Sequence, residues 1–297
     1  MTRFATALQL MRPRQWVKNG FVLVGLIFGH GFSDPALLTK AGVLLVAFCM
    51  VSSGVYVLND VLDRQADRAH PTKRQRPVAR GAVTPRAALT FALLLAAAGL
   101  ALASLVSPVA LGLAACYVVL NLGYSAGLKH VAILDVFLIA AGFMLRILAG
   151  TLGLDIAPSH WLLLCGFMVT VFLGFAKRRA ELFALSPAEH GGRGRGTAQR
   201  PVLDHYSTRL LDQFIAVSAA GAMVAYALYT VDAKTVAIHG TDRLVYTVPL
   251  VLYGLFRYLH VLYRGRGGVD PAAELLADGH LLVVIALWLS AVLWLLA

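Results

Sequence analysis

Residues 41–81 read AGVLLVAFCMVSSGVYVLNDVLDRQADRAHPTKRQRPVARG, an uncharged run that passes directly into a cluster of acidic and basic residues. Residues 41–58 are long enough, as a helix, to cross a hydrocarbon core of about 30 Å. The stretch therefore predicts a membrane-spanning helix that ends in a charged segment at one membrane surface.

Three carboxylates stand in the charged segment. Asp60, Asp63 and Asp67 are spaced i, i+3 and i+7, so they share an arc of about 60° if the helix continues through them. Like charges on one face repel each other unless a cation lies between them. Hard cations such as Mg²⁺ or Mn²⁺ bind carboxylates together with substrate phosphates, so the spacing predicts a metal and diphosphate site. The alternative is an ordinary solvated helix end of mixed charge.

Basic residues follow the carboxylates within a turn-rich segment broken by Pro71 and Pro77. They are Lys73, Arg74, Arg76 and Arg80. Cations that hold phosphates complement carboxylates that hold a metal. We therefore interpret residues 59–81 as part of one site for a phosphorylated substrate.

The composition predicts an all-α polytopic membrane protein, since 59% of the 297 residues are apolar and the mean hydropathy is +0.74. About nine helices are expected, bundled around a polar cavity that faces the cytoplasm. The predicted spans are 16–32, 41–58, 87–106, 108–123, 131–153, 160–176, 210–230, 244–263 and 280–297.

Lysine and arginine fix the expected orientation, because cytoplasmic loops carry the excess of positive charge. The chain is expected to be a single domain over residues 1–297 in the inner (cytoplasmic) membrane. Its N-terminus and its loops 59–86 and 177–209 are expected in the cytoplasm, with the C-terminus outside. The net charge of +11 is explained by this topology, by lipid headgroups and by an anionic substrate. No basic helix stands free of the membrane to bind nucleic acid.

A second polar patch lies between the fourth and fifth spans and contains Tyr124, Ser125, Lys129, His130 and Asp135. It is expected on the cytoplasmic side, as a second half of the site. Charged groups inside spans usually face the protein interior and mark function, and Asp135 and Arg146 both qualify. Arg146 lies three turns from Asp135 on the same face. It is expected to contact a lipid phosphate directly or, alternatively, to form a buried pair or cap helix-end carbonyls.

The sixth predicted span ends in basic residues. Lys177 and Arg178 are candidates to bind a phosphorylated substrate together with Glu181. The alternative is that these cations only flank a membrane helix on its cytoplasmic side.

The segment NDVLDRQAD resembles the NDxxDxxxD signature of the UbiA superfamily of intramembrane prenyltransferases. Further stretches resemble the branch of that superfamily that transfers phosphoribose to a polyprenyl phosphate. These are RPRQWVKN at 12–19, YSAGLKHVAILDV at 124–136, GFMLRILAG at 142–150 and KRRAEL at 177–182. The aromatic prenyltransferases carry a second aspartate-rich motif, whereas this chain has Tyr124, Lys129 and Asp135 in that region, which argues against a prenyl diphosphate donor.

The resemblance implies transfer of 5-phosphoribose from 5-phosphoribosyl 1-diphosphate to a polyprenyl phosphate, with Mg²⁺ or Mn²⁺ as cofactor. Such a step leads toward lipid-linked arabinose donors for the cell envelope. Asp60, Asp63 and Asp67 would hold the metal, and Asn59 would support the metal or a ribose hydroxyl. The predicted phosphate ligands are Arg14, Lys18, Lys73, Arg74, Arg76, Tyr124 and Lys129. Asp135, Arg146, Lys177 and Arg178 complete the predicted substrate contacts.

Two alternatives stay open. An enzyme of the same superfamily could prenylate an aromatic acceptor from a prenyl diphosphate. A transporter or lipid carrier could use Asp135 and Arg146 along an ion path, although no pair of inverted repeats with broken helices is evident. The sequence leaves the oligomeric state open, including a homo-oligomer.

Overall fold

The computed structural model describes residues 3–28, 34–69, 72–184, 201–264 and 277–296. Within these ranges the chain forms α-helices and short 3₁₀ helices and no strand, as predicted. The α-helices are α1 (Arg3–Met11), α2 (Val24–Phe28), α3 (Pro35–Leu62), α4 (Arg64–Ala69), α5 (Pro85–Val106), α6 (Pro108–Ala126), α7 (Leu134–Ala149), α8 (His160–Ala184), α9 (Thr208–Val231), α10 (Ala233–His239), α11 (Val248–Tyr263) and α12 (Gly279–Leu296).

Seven helical segments of the described chain are long and apolar enough to cross a membrane, which supports an integral membrane protein. The predicted count of nine and the predicted polar cavity are not tested by these segments. The seven are Pro35–Leu62, Pro85–Val106, Pro108–Ala126, Leu134–Leu154, His160–Phe183, Thr208–Val231 and Arg243–Tyr263.

The first and last predicted spans differ from the other seven. The first is a 3₁₀ helix, Pro13–Leu23, that continues into α2, and residues 29–33 lie outside the described ranges. Arg12 precedes it with φ 54, a left-handed conformation. Pro13 disfavours a helical conformation for the residue before it, so α1 ends at Met11. The last predicted span corresponds to α12, which is shorter than the seven.

The chain divides into two compact units. The first contains Met1–Lys129 and Leu145–Ala157, and the second contains His130–Met144 and Pro158–Ala297. In the first unit α3 packs along α5, and buried aliphatic residues of α3 with Phe48 and Tyr117 form its core. In the second unit α8 packs along α9, around Phe172, Phe175 and Tyr258.

The contact between α3 and α5 depends on two glycines. A Cβ added at Gly54 would lie 2.8 Å from the carbonyl oxygen of Ala92. A Cβ added at Gly99 would lie 2.7 Å from the carbonyl oxygen of Ala47 and 2.6 Å from Cγ2 of Val51. Small residues let membrane helices approach closely where van der Waals packing holds them together. The backbones of α3 and α5 therefore touch at these positions.

Gly99→Ala is expected to lower the free energy of unfolding by about 1–3 kcal/mol, because the added methyl group meets backbone atoms that cannot rotate away. Denaturant titration of the purified protein in detergent measures the effect. Gly112→Ala on α6 is the matched control, since no atom lies within 4 Å of its added Cβ. The control should leave stability equal or higher, by about 0.5–1 kcal/mol. Equal losses in the two variants would contradict the close contact.

Candidate active site

The acidic motif lies where α3 ends. The helix stops at Leu62, and Asp63 follows in a non-helical conformation before α4 begins at Arg64. The continuous helix through all three carboxylates, on which the shared arc depended, is therefore interrupted at the middle one. Asp60 and Asp67 are buried nonetheless, at 1% and 3% exposure, whereas the side chain of Asp63 is 40% exposed.

Asp60 and Asp67 converge on one guanidinium group. Nη1 of Arg76 lies 3.1 Å from Oδ1 of Asp60 and 2.7 Å from Oδ2 of Asp67. Arg12 also donates from Nη2 to Oδ1 of Asp60. Two basic residues therefore neutralise the buried part of the motif.

Arg12 reaches Asp60 from the end of α1. Its guanidinium also lies over the ring of Tyr56, 5.5 Å from the ring centroid. Burial lowers the pKa of the Arg12 guanidinium from its ordinary value, and the charge of Asp60 opposes that shift. An arginine stays protonated across the physiological pH range, so Arg12 is a permanent cation beside the motif.

The remaining motif residues contact the end of α6 and the turn after it. Nζ of Lys129 donates to Oδ1 of Asp63 at 2.9 Å. The hydroxyl of Ser125 donates to Oδ1 of Asn59 at 2.5 Å. Lys129 was predicted to lie near the acidic motif, and the structure places it against Asp63.

The carboxylate oxygens of the acidic motif are of the kind that bind a hard divalent cation. In the described ranges no group of three histidine, cysteine or acidic residues is gathered closely enough to hold a metal. Two carboxylate oxygens, from Asp60 and Asp67, nevertheless approach one positively charged nitrogen of Arg76. Carboxylate oxygens are the ligands that Mg²⁺ prefers, and one or two of them with substrate phosphates make up many Mg²⁺ sites.

The other predicted phosphate ligands are exposed or half-buried. Lys73 and Arg74 are exposed in a short 3₁₀ helix, Lys73–Gln75, just before Arg76. The 3₁₀ helix Pro13–Leu23 carries Arg14, which is exposed, and Lys18, which is half-buried. Two further candidates are half-buried. They are Tyr124 on α6 and Lys177 on α8.

Arg146 is buried, as its position in a membrane span predicted, with 4% exposure. Its Nε donates to Oδ1 of Asn19 at 2.8 Å, and its Nη2 donates to the hydroxyl of Tyr117 at 2.9 Å. The guanidinium also lies 4.4 Å from the centroid of the Tyr117 ring. Asn19 in turn donates to Ser52 Oγ at 3.2 Å. These contacts match the buried-partner alternative for Arg146.

Asp135 and Arg178 bind each other inside the second unit. Nε of Arg178 donates to Oδ2 of Asp135 at 2.6 Å, and both side chains have 0% exposure. Nη1 of Arg178 also donates to Oε2 of Glu181 at 2.5 Å. Because both side chains are fully buried, contact of either residue with substrate would require the surrounding structure to open. Arg178 also lies in α8, which continues to Ala184 beyond the predicted start of a loop at 177.

Tyr206 completes this buried network. Its hydroxyl donates to Oδ1 of Asp135 at 2.8 Å and accepts the backbone N–H of Ile133 at 2.5 Å. Burial raises the pKa of the Tyr206 hydroxyl far above its ordinary value, so the group stays protonated and keeps donating to Asp135. The network fixes the residues before α7 and before α9.

Several of these residues were not among the sequence-based candidates. Arg12 had a usable signal, because it opens the RPRQWVKN stretch and precedes a proline. Ser125 was named as part of the second patch, without a role of its own. Asn19, Tyr117 and Tyr206 had no spacing that distinguishes them from ordinary polar residues of a membrane protein.

A family model described as "UbiA prenyltransferase family" matches residues 20–277 of this chain. The chain belongs to this family. The match confirms the family predicted from the acidic motif.

Two similar relatives are both named decaprenyl-phosphate phosphoribosyltransferase. The protein from Mycolicibacterium smegmatis is 32% identical over 96% of this chain and 90% of its own length. The protein from Mycobacterium tuberculosis is 31% identical over 97% of this chain and 93% of its own length.

A UbiA homologue from Archaeoglobus fulgidus, solved with GPP and Mg²⁺, has the same fold. Its TM-score is 0.73 at 18% identity, and the match covers 98% of this chain and 99% of that one. The UbiA fold is thus shared along the whole chain. The named relatives confirm that this UbiA family member is an enzyme of the transferase class.

Proposed function

We propose that this UbiA family member transfers 5-phosphoribose from 5-phosphoribosyl 1-diphosphate to a polyprenyl phosphate of the decaprenyl type and releases diphosphate. The observation that carries the proposal is the similarity, along nearly the whole chain, to proteins named decaprenyl-phosphate phosphoribosyltransferase. The ion-pair cluster around Asp60 supports it, since the cluster holds carboxylates for a metal beside cations for phosphates.

The reaction breaks the bond between C1 of ribose and the diphosphate oxygen and forms a bond from C1 to an oxygen of the lipid phosphate. C1 gains positive charge and the diphosphate gains negative charge as the bond breaks. Asp60, Asp67 and Asp63 would hold Mg²⁺, which when bound neutralises charge on the leaving diphosphate. Arg76, with the adjacent Lys73, would bind the donor's phosphate oxygens.

The acceptor needs positioning more than activation. A phosphate monoester is already an anion at neutral pH, so its oxygen can attack without a general base. Arg14, Lys18 and Lys129 are the proposed cations for the acceptor phosphate and the donor's 5-phosphate, with Tyr124 beside them. Asn59 would bind a ribose hydroxyl through its amide, since its oxygen already accepts from Ser125.

The proposed location of the chemistry is the cytoplasmic surface of the inner membrane. The acidic motif begins within the last turn of a helix that qualifies as a membrane span, so its carboxylates lie near one membrane surface. The phosphorylated sugar donor can reach this level from water, while the polyprenyl chain stays among lipids. The connection between α3 and α5 and the C-terminal end of α8 would face the cytoplasm, and the C-terminus would face out.

A second candidate is transfer of a prenyl group from a prenyl diphosphate to an aromatic acceptor. The family's description as prenyltransferases and the solved homologue with GPP and Mg²⁺ favour it. The same carboxylates would serve either donor, because both donors leave as diphosphate.

Transfer of label tests the proposal. Purified protein in detergent or nanodiscs is incubated with Mg²⁺, polyprenyl phosphate and 5-phosphoribosyl 1-diphosphate labelled in the ribose. We expect label in the lipid phase and stoichiometric release of diphosphate, both abolished by a chelator and restored by added Mg²⁺. Label that stays in water, together with turnover of a prenyl diphosphate and an aromatic acceptor, would replace the proposal with the second candidate.

A further inference from the structure

Each carboxylate of the acidic motif already has a cationic partner. Arg12 and Arg76 bind Asp60, Arg76 also binds Asp67, and Lys129 binds Asp63. The carboxylates of Asp60 and Asp67 are only 2% and 4% exposed. A metal ion that takes the carboxylate oxygens now bound by Arg12 and Arg76 must therefore displace a guanidinium.

Charge decides what such an exchange costs. A divalent cation entering beside Arg12 and Arg76 adds positive charge to carboxylates that are already neutralised. At this degree of burial, the repulsion between cations a few ångströms apart is far stronger than in water. A diphosphate removes the repulsion, because it binds the metal and also accepts hydrogen bonds from the displaced guanidiniums in a bidentate geometry.

We infer that Arg12 and Arg76 are resident counter-ions of the acidic motif, so the motif binds a divalent metal tightly only together with a diphosphate. The inference rests on the proposed function, since it takes Asp60 and Asp67 as the metal ligands. It adds Arg12 to the site and gives Arg76 two successive partners, first the carboxylates and then the departing diphosphate. Metal and diphosphate are then thermodynamically coupled, and each raises the affinity for the other by the same factor.

The two arginines are placed differently for this exchange. Arg76 stands in extended backbone, φ −61 and ψ 143, immediately after the 3₁₀ helix Lys73–Gln75, and its side chain is 27% exposed. Arg12 stands in the left-handed region and lies over the Tyr56 ring. Both side chains are partly exposed, so each can turn toward a ligand at the surface without unfolding a helix.

Binding of Mn²⁺ alone tests the inference without any turnover. Free Mn²⁺ is titrated against the whole protein in detergent and followed by electron paramagnetic resonance. We expect weak binding to the unsubstituted protein and about 10-fold tighter binding to Arg76→Gln, because removal of the cation frees the carboxylates. Arg12→Gln should change Mn²⁺ affinity in the same direction. It serves as the second variant, since Arg76 still neutralises Asp60 in it.

The preformed manganese–diphosphate complex is the second probe, measured by isothermal titration calorimetry. The unsubstituted protein should bind it at least about 10-fold more tightly than it binds Mn²⁺ alone. Arg76→Gln should bind it about 10-fold more weakly than the unsubstituted protein does, because a charged hydrogen-bond donor is lost. In Arg76→Gln the affinity for Mn²⁺ alone is therefore expected to rise, while the affinity for the manganese–diphosphate complex falls.

Arg86→Gln is the matched control. It removes one exposed arginine at the start of α5, in the same stretch of chain, and should leave both affinities unchanged. Equal Mn²⁺ affinity in the unsubstituted protein and both arginine variants would overturn the inference and leave the proposed transfer standing. The expected binding pattern without label transfer to lipid would sink the proposed function alone. If neither Mn²⁺ nor the manganese–diphosphate complex binds to any variant, both the inference and the proposed function are overturned.

Discussion

Asp60→Asn is expected to lower the rate of label transfer to lipid by about 10³-fold or more, the scale of loss seen when a main electrostatic element of an active site is removed. The side chain of Asp60 is buried between Arg12 and Arg76. An amide would contribute no negative charge toward a metal and would leave two guanidinium groups without their shared carboxylate. The measurement is the ribose-labelled transfer assay at saturating donor and acceptor.

Asp34→Asn is the matched control for this prediction. Asp34 stands at the opposite end of the same helix, where its carboxylate accepts the backbone N–H groups of Ala36 and Leu37. Asparagine caps helices about as well as aspartate, so the control should keep both stability and activity. Full activity in Asp60→Asn would show that the Asp60 carboxylate is not needed for the transfer reaction. An equal loss in Asp34→Asn would show that a change of charge anywhere on α3 is damaging.

Arg178→Met is expected to lower the free energy of unfolding by about 3–5 kcal/mol, because it breaks a fully buried ion pair and leaves the Asp135 carboxylate without its charged partner. Tyr206 still donates to that carboxylate, but a neutral hydrogen bond does not offset the cost of a buried charge. Denaturant titration in detergent measures the loss.

A double substitution separates pairing from packing. Arg178→Met combined with Asp135→Leu removes both charges of the buried pair and leaves Glu181 without the guanidinium of Arg178. We expect part of the lost stability to return, because a buried ion pair and an apolar pair of similar volume are often close in stability. Arg257→Met is the control. Arg257 pairs with Asp278 at 2.8 Å with both side chains partly exposed, so its loss should change stability little. A small loss in Arg178→Met would mean that water or another cation reaches Asp135.

Much of the fold was predictable because membrane spans have a strong signal. Long apolar runs bounded by charge gave the positions of α3, α5, α6 and α9 to within a few residues, except that α3 begins earlier, at Pro35. The region 16–32 was harder, because hydropathy records apolar content and not the local path of the backbone. Pro13 and the left-handed Arg12 determine that path. The division of the chain into two units depends on tertiary contacts, which one sequence does not display.

The site was predictable where residues are close in sequence. The spacing of Asp60, Asp63 and Asp67 was evident, and Arg76 followed within the same segment. The pairing of Lys129 with Asp63 joins positions 66 residues apart, and only the proposed second patch suggested it. Sequence could not show that Arg12 reaches Asp60, nor that Asp135 is enclosed by Arg178, since both contacts depend on how helices pack.

The glycine-mediated contact between α3 and α5 has a consequence for how the active site can adapt. Two backbones in contact leave no room for sliding, so α3 is held against α5 as far as Gly54, which lies shortly before Asn59. Adjustment to an incoming ligand is then expected in side chains and in the segment beyond Leu62. Ligands of different shape are therefore expected to be accommodated beyond Leu62, without movement of α3 relative to α5 at Gly54 and Gly99.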